Sequence, residues 1–168
     1  MKKLAQALLV TTFLSAFTFA GSVPAALAKA PRILQFDTMI GVPSTLTGPQ
    51  SNGPLRGISG GGLPWTVGSA MGFLTASGHL KIEVQGLVLA TNDTNPIPNF
   101  RGLVSCVRSD GSFDNILTTD AFPATIGPAS AGGGDADIEA DVVLPQPCIA
   151  PIIFVTNPNG AWFAATGH

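Results

Sequence analysis

Residues 79–85 read HLKIEVQ, with Leu80, Ile82 and Val84 alternating against Lys81, Glu83 and Gln85. A period of two with the apolar residues on one parity predicts a strand buried on one face. Residues 71–75 precede it across Ala76-Ser77-Gly78, where Gly78 can take the positive φ of a short loop, so the two segments form an antiparallel hairpin. Beyond Gly86 the run LVLA loses the alternation, which predicts a bend at that glycine and burial on both faces after it. A second hairpin joins residues 101–107 to 113–118 through Ser109-Asp110-Gly111, since Asp-Gly between apolar runs is a strong turn signal. In ADIEADVVL, residues 136–144, the parity is strict: Ile138, Ala140, Val142 and Leu144 face in, while Asp137, Glu139 and Asp141 face out. A last pair, residues 149–156 and 161–166, turns at Asn157-Pro158-Asn159-Gly160. The first candidate strand is 33–40, ended by Gly41 and Pro43. Residues 42–62, rich in Pro, Gly, Ser and Thr, read as extended loop with one short edge strand at most.

From Lys29 onward no window carries an apolar helical period bounded by caps. The expected fold is all-β, an antiparallel β-sandwich, Ig-like or jelly-roll-like, of seven to nine strands with little helix. The marks of an immunoglobulin domain do not fit. Trp65 precedes both cysteines, Trp162 follows both, and the chain has no tyrosine for a tyrosine corner.

The ends change the picture. Lys2 and Lys3 precede an uncharged apolar run, 4–19, and small residues ending in Ala26-Leu27-Ala28, so residues 1–28 read as an export signal cleaved after Ala28, of bacterial type. The run is short of the roughly 20 apolar residues of a membrane span, and none comparable follows. Residues 29–168 are then one secreted or periplasmic domain, long enough for a single core. Two of the eight basic residues lie in the signal, leaving acids ahead ten to six in the remainder. An acidic balance disfavours nucleic acid and anionic membrane. Cys106 and Cys148 are the only cysteines, and in an oxidising compartment they are expected to form a disulfide between two strands.

The stretch RGISGGGLPW, residues 56–65, draws the sharpest questions. GISGG matches G-x-S-x-G with Ser59 at the nucleophile position, but that elbow needs a buried strand before it and a helix after it, and prolines stand on both sides. No Lys-Ser or Lys-Thr follows to make a phosphate loop. What remains is a glycine run that permits close backbone approach beside Trp65. That indole is expected in the core first, and second as a flat platform for a sugar or other planar ligand beside Arg56 and Ser59. The loop 91–100, with Asn92, Asp93 and Asn95, is the other recognition candidate.

The acidic row Asp135, Asp137, Glu139 and Asp141 reads first as a solvated face that discourages aggregation. A Ca²⁺ site at its loop end, through Asp135 and Asp137, is the second reading. With only His79 and His168, a three-histidine metal site cannot form. Glu83 and Asp37 are the acids nearest apolar surroundings, and both fit outward strand positions. The expected function is non-catalytic: a secreted or envelope-associated module binding a carbohydrate or cell-envelope component through its loops. A self-associating structural surface protein is the alternative, and a small secreted hydrolase the third.

Overall fold

The computed structural model of the chain describes residues 30–47 and 54–167; residues 1–28, read above as an export signal, and His168 lie outside them. The strands, in chain order, are β1 (Arg32–Phe36), β2 (Ile40–Gly41), β3 (Trp65–Thr66), β4 (Ser69–Thr75), β5 (His79–Gln85), β6 (Val88–Leu89), β7 (Thr94–Asn95), β8 (Asn99–Val107), β9 (Phe113–Leu117), β10 (Phe122–Pro123), β11 (Gly127–Pro128), β12 (Ala136–Asp141), β13 (Ile149–Thr156) and β14 (Trp162–Ala165). Helix among the described residues is confined to two 3-10 turns, Ser44–Leu46 and Ala129–Ala131. The all-β expectation holds. Eight strands have four residues or more, and the other six have two, too short to display any period in a sequence. No helix among the described residues is long and apolar enough to cross a membrane.

Strands β1, β4, β5 and β12 form one antiparallel sheet in that order. Its register follows the sequence parity, with Met71 opposite Glu83, Phe73 opposite Lys81, and Asp137, Glu139 and Asp141 opposite Glu83, Lys81 and His79. The inward row Leu74, Leu80, Ile82, Val84 and Ile138 is buried, each large side chain contributing on the order of 2 kcal/mol by leaving water. The second sheet runs β10-β8-β13-β14-β2, and β9 pairs with β8 beside β10. The two sheets make a sandwich. Strand β12 packs on β8 and β10, and at Gly102 of β8 an added Cβ would lie 2.8 Å from Leu80 and 3.3 Å from Ile138. A third sheet, β11-β7-β6-β3, takes up the chain past Gly86, where Leu87, Val88 and Leu89 are all buried, as the lost alternation predicts, and pairs it with β3 from earlier in the chain.

Two expectations need correction, and one pair of neighbours departs from plain alternation. The strand expected over 33–40 is two strands in different sheets, because Asp37, Thr38 and the buried Met39 carry the chain from β1 across to β2. The strand expected over 136–144 stops at Asp141; Val142 stays buried with its N–H on the Gly78 carbonyl, but Val143 turns out to solvent. Simple alternation at Trp162 and Phe163 would bury only one of them, whereas both are buried. The cause is an irregularity in register. Val155 lies opposite Ala164 and the next residue, Thr156, opposite Trp162, so Phe163 is skipped. Trp162 turns edge-on to Phe154, and Phe163 turns to Trp65 and Phe100.

Cys106 of β8 and Cys148, just before β13, form the expected disulfide, with Cα atoms 5.0 Å apart. It joins neighbouring strands of one sheet rather than bridging the two layers of the sandwich. Closing a 42-residue separation stabilises the fold by about 4 kcal/mol in the chain-entropy picture.

Candidate functional site

The stretch 56–65 is a strap across the second sheet. Leu55 and Ile58 exchange both backbone hydrogen bonds around Arg56 and Gly57, whose φ values of 50° and 79° are the positive pair a two-residue primed turn requires. The Arg56 guanidinium donates to the Ser105 carbonyl at 3.0 Å and lies over the Phe113 ring, while Asn115 donates to the Arg56 carbonyl. Partial burial lowers the Arg56 pKa from its ordinary value. Farther along, the Ser59 carbonyl accepts from Trp162 N–H, and Gly61 N–H donates to the Trp162 carbonyl. The strap thus runs from β8 and β9 over to β14. Ile58 is buried beneath it.

This placement takes the expected loop site apart. Trp65 is 5 % exposed, its ring stacked on Phe163 at 4.0 Å with Phe100 at its edge. An enclosed indole offers no face to a sugar, so the platform expectation gives way to the core one. The Ser59 side chain is exposed, no helix follows it, and its hydroxyl has no hydrogen-bond partner among the described residues. In the other loop Asn92 and Asp93 lie on an exposed turn, but Asn95 is fully buried. Its amide donates to the carbonyls of Ile97 and Thr125 and accepts from Ile97 N–H, which makes it a clamp between segments.

The acidic residues are engaged as well. Asp135 accepts from Gly86 N–H at 2.9 Å and pins the start of β12 to the bend. Asp137 faces outward opposite Glu83. His79 reaches Asp141 at 3.0 Å and Glu139 at 3.5 Å. Among the described residues no group of three or more His, Cys, Asp or Glu converges as a metal site. Asp135 and Asp137 with these partners do not fit a Ca²⁺ ion, which needs six to eight converging oxygens.

What sequence reasoning missed is the outer face of the four-stranded sheet. A groove of about 280 Å³ opens there, lined by Arg32, Gln35, Asp37, Met71, Phe73 and Lys81, among others. Arg32 lies 4.2 Å over the Phe73 ring and donates to Gln35. Met71 is 54 % exposed. Lys81 and Glu83 pair at 2.7 Å. The Lys81 ammonium is held above its ordinary pKa, first by the hydrogen bond to Glu83 and its charge, then by Glu139 and Asp137. The signal for this face was in residues 71–75: Met71 and Phe73 are apolar on the same parity that is polar in the partner arm.

No family model, curated protein or solved structure matches the chain. The chemistry available to this face follows from its own side chains. Five carboxylates stand on it, at Asp37, Glu83, Asp137, Glu139 and Asp141, against the cations of Arg32 and Lys81, with Met71 and Phe73 between them. Such a surface suits a partner that is both basic and apolar.

Proposed function

We propose that the chain is an exported, non-catalytic recognition module whose binding surface is the outer face of the β1-β4-β5-β12 sheet. Its partner is a polypeptide of the cell envelope or exterior that presents basic and apolar side chains together. One contrast carries this reading. The outer side of the second sheet lies under the 56–61 strap, whereas among the described residues no segment crosses the outer side of the first, and Met71 is exposed within a groove there. Export is supported by the Lys2-Lys3 apolar leader and by the Cys106–Cys148 disulfide. Recognition without catalysis is supported by the engagement of the candidate groups: Asp135 with a backbone amide, His79 with two carboxylates.

The test is selection of displayed random 12-residue peptides on the purified chain, followed by binding to Met71→Lys, a change at an exposed position that leaves the fold intact. The expected peptides are rich in Lys, Arg and aromatic residues, and they lose at least tenfold in affinity for the variant, about one factor of ten per 1.4 kcal/mol. Peptides that bind wild type and variant equally, or that protect residues 56–65 instead of β4 and β5 in amide exchange, would contradict the proposal.

A further inference from the structure

The four-stranded sheet ends in two different edges. Strand β12 carries the exposed Asp137, Glu139 and Asp141; charge is a usual protection against strand addition. Among the described residues strand β1 pairs only with β4; it carries a single charge within its span and leaves Ile33 exposed. Pro31 and the irregularity between Arg32 and Leu34 confine the pairable stretch to this one short strand.

We propose that β1 pairs edge to edge and antiparallel with β1 of a second copy of this chain, joining two four-stranded sheets into one of eight strands. Charge identifies the occupant. The segment RILQFD begins with Arg32 and ends with Asp37, and both side chains line the groove on the outer face. A two-fold axis at Leu34 sets Leu34 against Leu34. Because Ile33 is the extra residue at the irregularity, Arg32 shares the outer face with Gln35, so it lies across from the other copy's Gln35, with Asp37 two positions on as its same-face diagonal neighbour. Diagonal neighbours on paired strands are within reach of a long side chain, so each copy's Arg32 meets the other's Asp37. Two such pairs form per dimer. Being exposed, they fix register and partner choice more than they add affinity. An isologous contact of this kind closes on itself, whereas joining β1 to β12 would propagate without end.

This association goes beyond the recognition proposed above, and a charge swap tests it. Sedimentation of the purified chain over about 5 to about 500 µM is expected to show a monomer–dimer equilibrium, the range suited to a small interface. Arg32→Asp alone or Asp37→Arg alone weakens the dimer roughly tenfold or more, since each places like charges together twice. Asp37 lies outside β1 and is exposed, so D37R carries the test should R32D unfold. The double variant R32D/D37R restores pairing to within about threefold of wild type. A monomer throughout the range, a dimer indifferent to both reversals, or a double variant as weak as the singles would overturn the proposal. Met71→Lys leaves the dimer unchanged, so failure of peptide recognition and failure of self-pairing are separable.

Discussion

Gly60, Gly61 and Gly62 stand side by side in the strap, and the structure assigns each a different cost on substitution by alanine. An added Cβ at Gly60 would lie 2.2 Å from the Leu46 carbonyl oxygen, a backbone atom that cannot step aside. At Gly61 it would lie 2.8 Å from the Phe163 ring and 3.3 Å from the Trp65 indole nitrogen. At Gly62 it would meet nothing within 4 Å. None of the three has a left-handed φ, so alanine can take up the backbone at all of them, and the loss of freedom in the unfolded chain favours each variant equally by about 0.4 to 1 kcal/mol. Their differences therefore report contact alone. Gly61→Ala should cost about 1 to 3 kcal/mol by overpacking, and Gly60→Ala at least as much. Gly62→Ala should fall within about 0.5 kcal/mol of wild type or gain slightly. Urea unfolding followed by tryptophan fluorescence reads the series, because the chain has two tryptophans, both buried, and no tyrosine. Three equal and neutral substitutions would refute the claim that the glycine run is a close-packed strap.

Other outcomes follow from single contacts. Reducing the disulfide, or replacing Cys106 and Cys148 together by serine, should lower stability by about 4 kcal/mol; an unchanged urea midpoint in the presence of reductant would contradict this. Asn95→Leu should cost about 2 to 4 kcal/mol, since it unpairs the Ile97 amide and carbonyl and removes one of two bonds to the Thr125 carbonyl, which keeps the Gly134 N–H. The exposed Asp110 carboxyl is held below its ordinary pKa by hydrogen bonds from the Ser112 hydroxyl and then its N–H. A depressed carboxyl stabilises the fold above its unfolded pKa and loses that contribution as pH falls through the folded one. Carboxyl-carbon NMR titration should show Ser112→Ala moving Asp110 upward, and a fixed midpoint would count against the bond.

Much of the fold was legible because strands of six or seven residues display a period. The β4–β5 hairpin, the second hairpin through Asp110-Gly111, the acidic parity of β12 and the bend at Gly86 all follow from local alternation and turn chemistry. What local pattern could not convey was which layer a strand joins. Asp37 to Met39 look like a continuation of β1, yet tertiary packing draws Met39 inward and sends Ile40 to the other sheet. Trp162 and Phe163 share burial through one skipped residue, and no sequence signal distinguishes that bulge from plain alternation. The core reading of Trp65 agrees with the structure, but its second reading could not be decided from local pattern. Glycines beside tryptophan invite a ligand, and only the long-range contacts with Phe163, Val42 and Leu46 reveal that protein fills the space. The exposed face is legible only when the parity of Met71 and Phe73 is compared with that of Lys81 and Glu83 in the partner arm.

The account rests on two placements: the tryptophan beside the glycines is interior, as its first reading expects, and the sheet face bearing Met71 is the open surface. Hydroxyl-radical footprinting of the native chain, read by mass spectrometry residue by residue, tests both halves at once. Met71, 54 % exposed, should be oxidised rapidly, while Met39 at 6 %, Trp65 at 5 % and Trp162 at 3 % resist until the fold is unfolded in urea. Oxidation of native Trp65 at a rate matching Met71, or protection of Met71 at concentrations where the chain is monomeric, would contradict it.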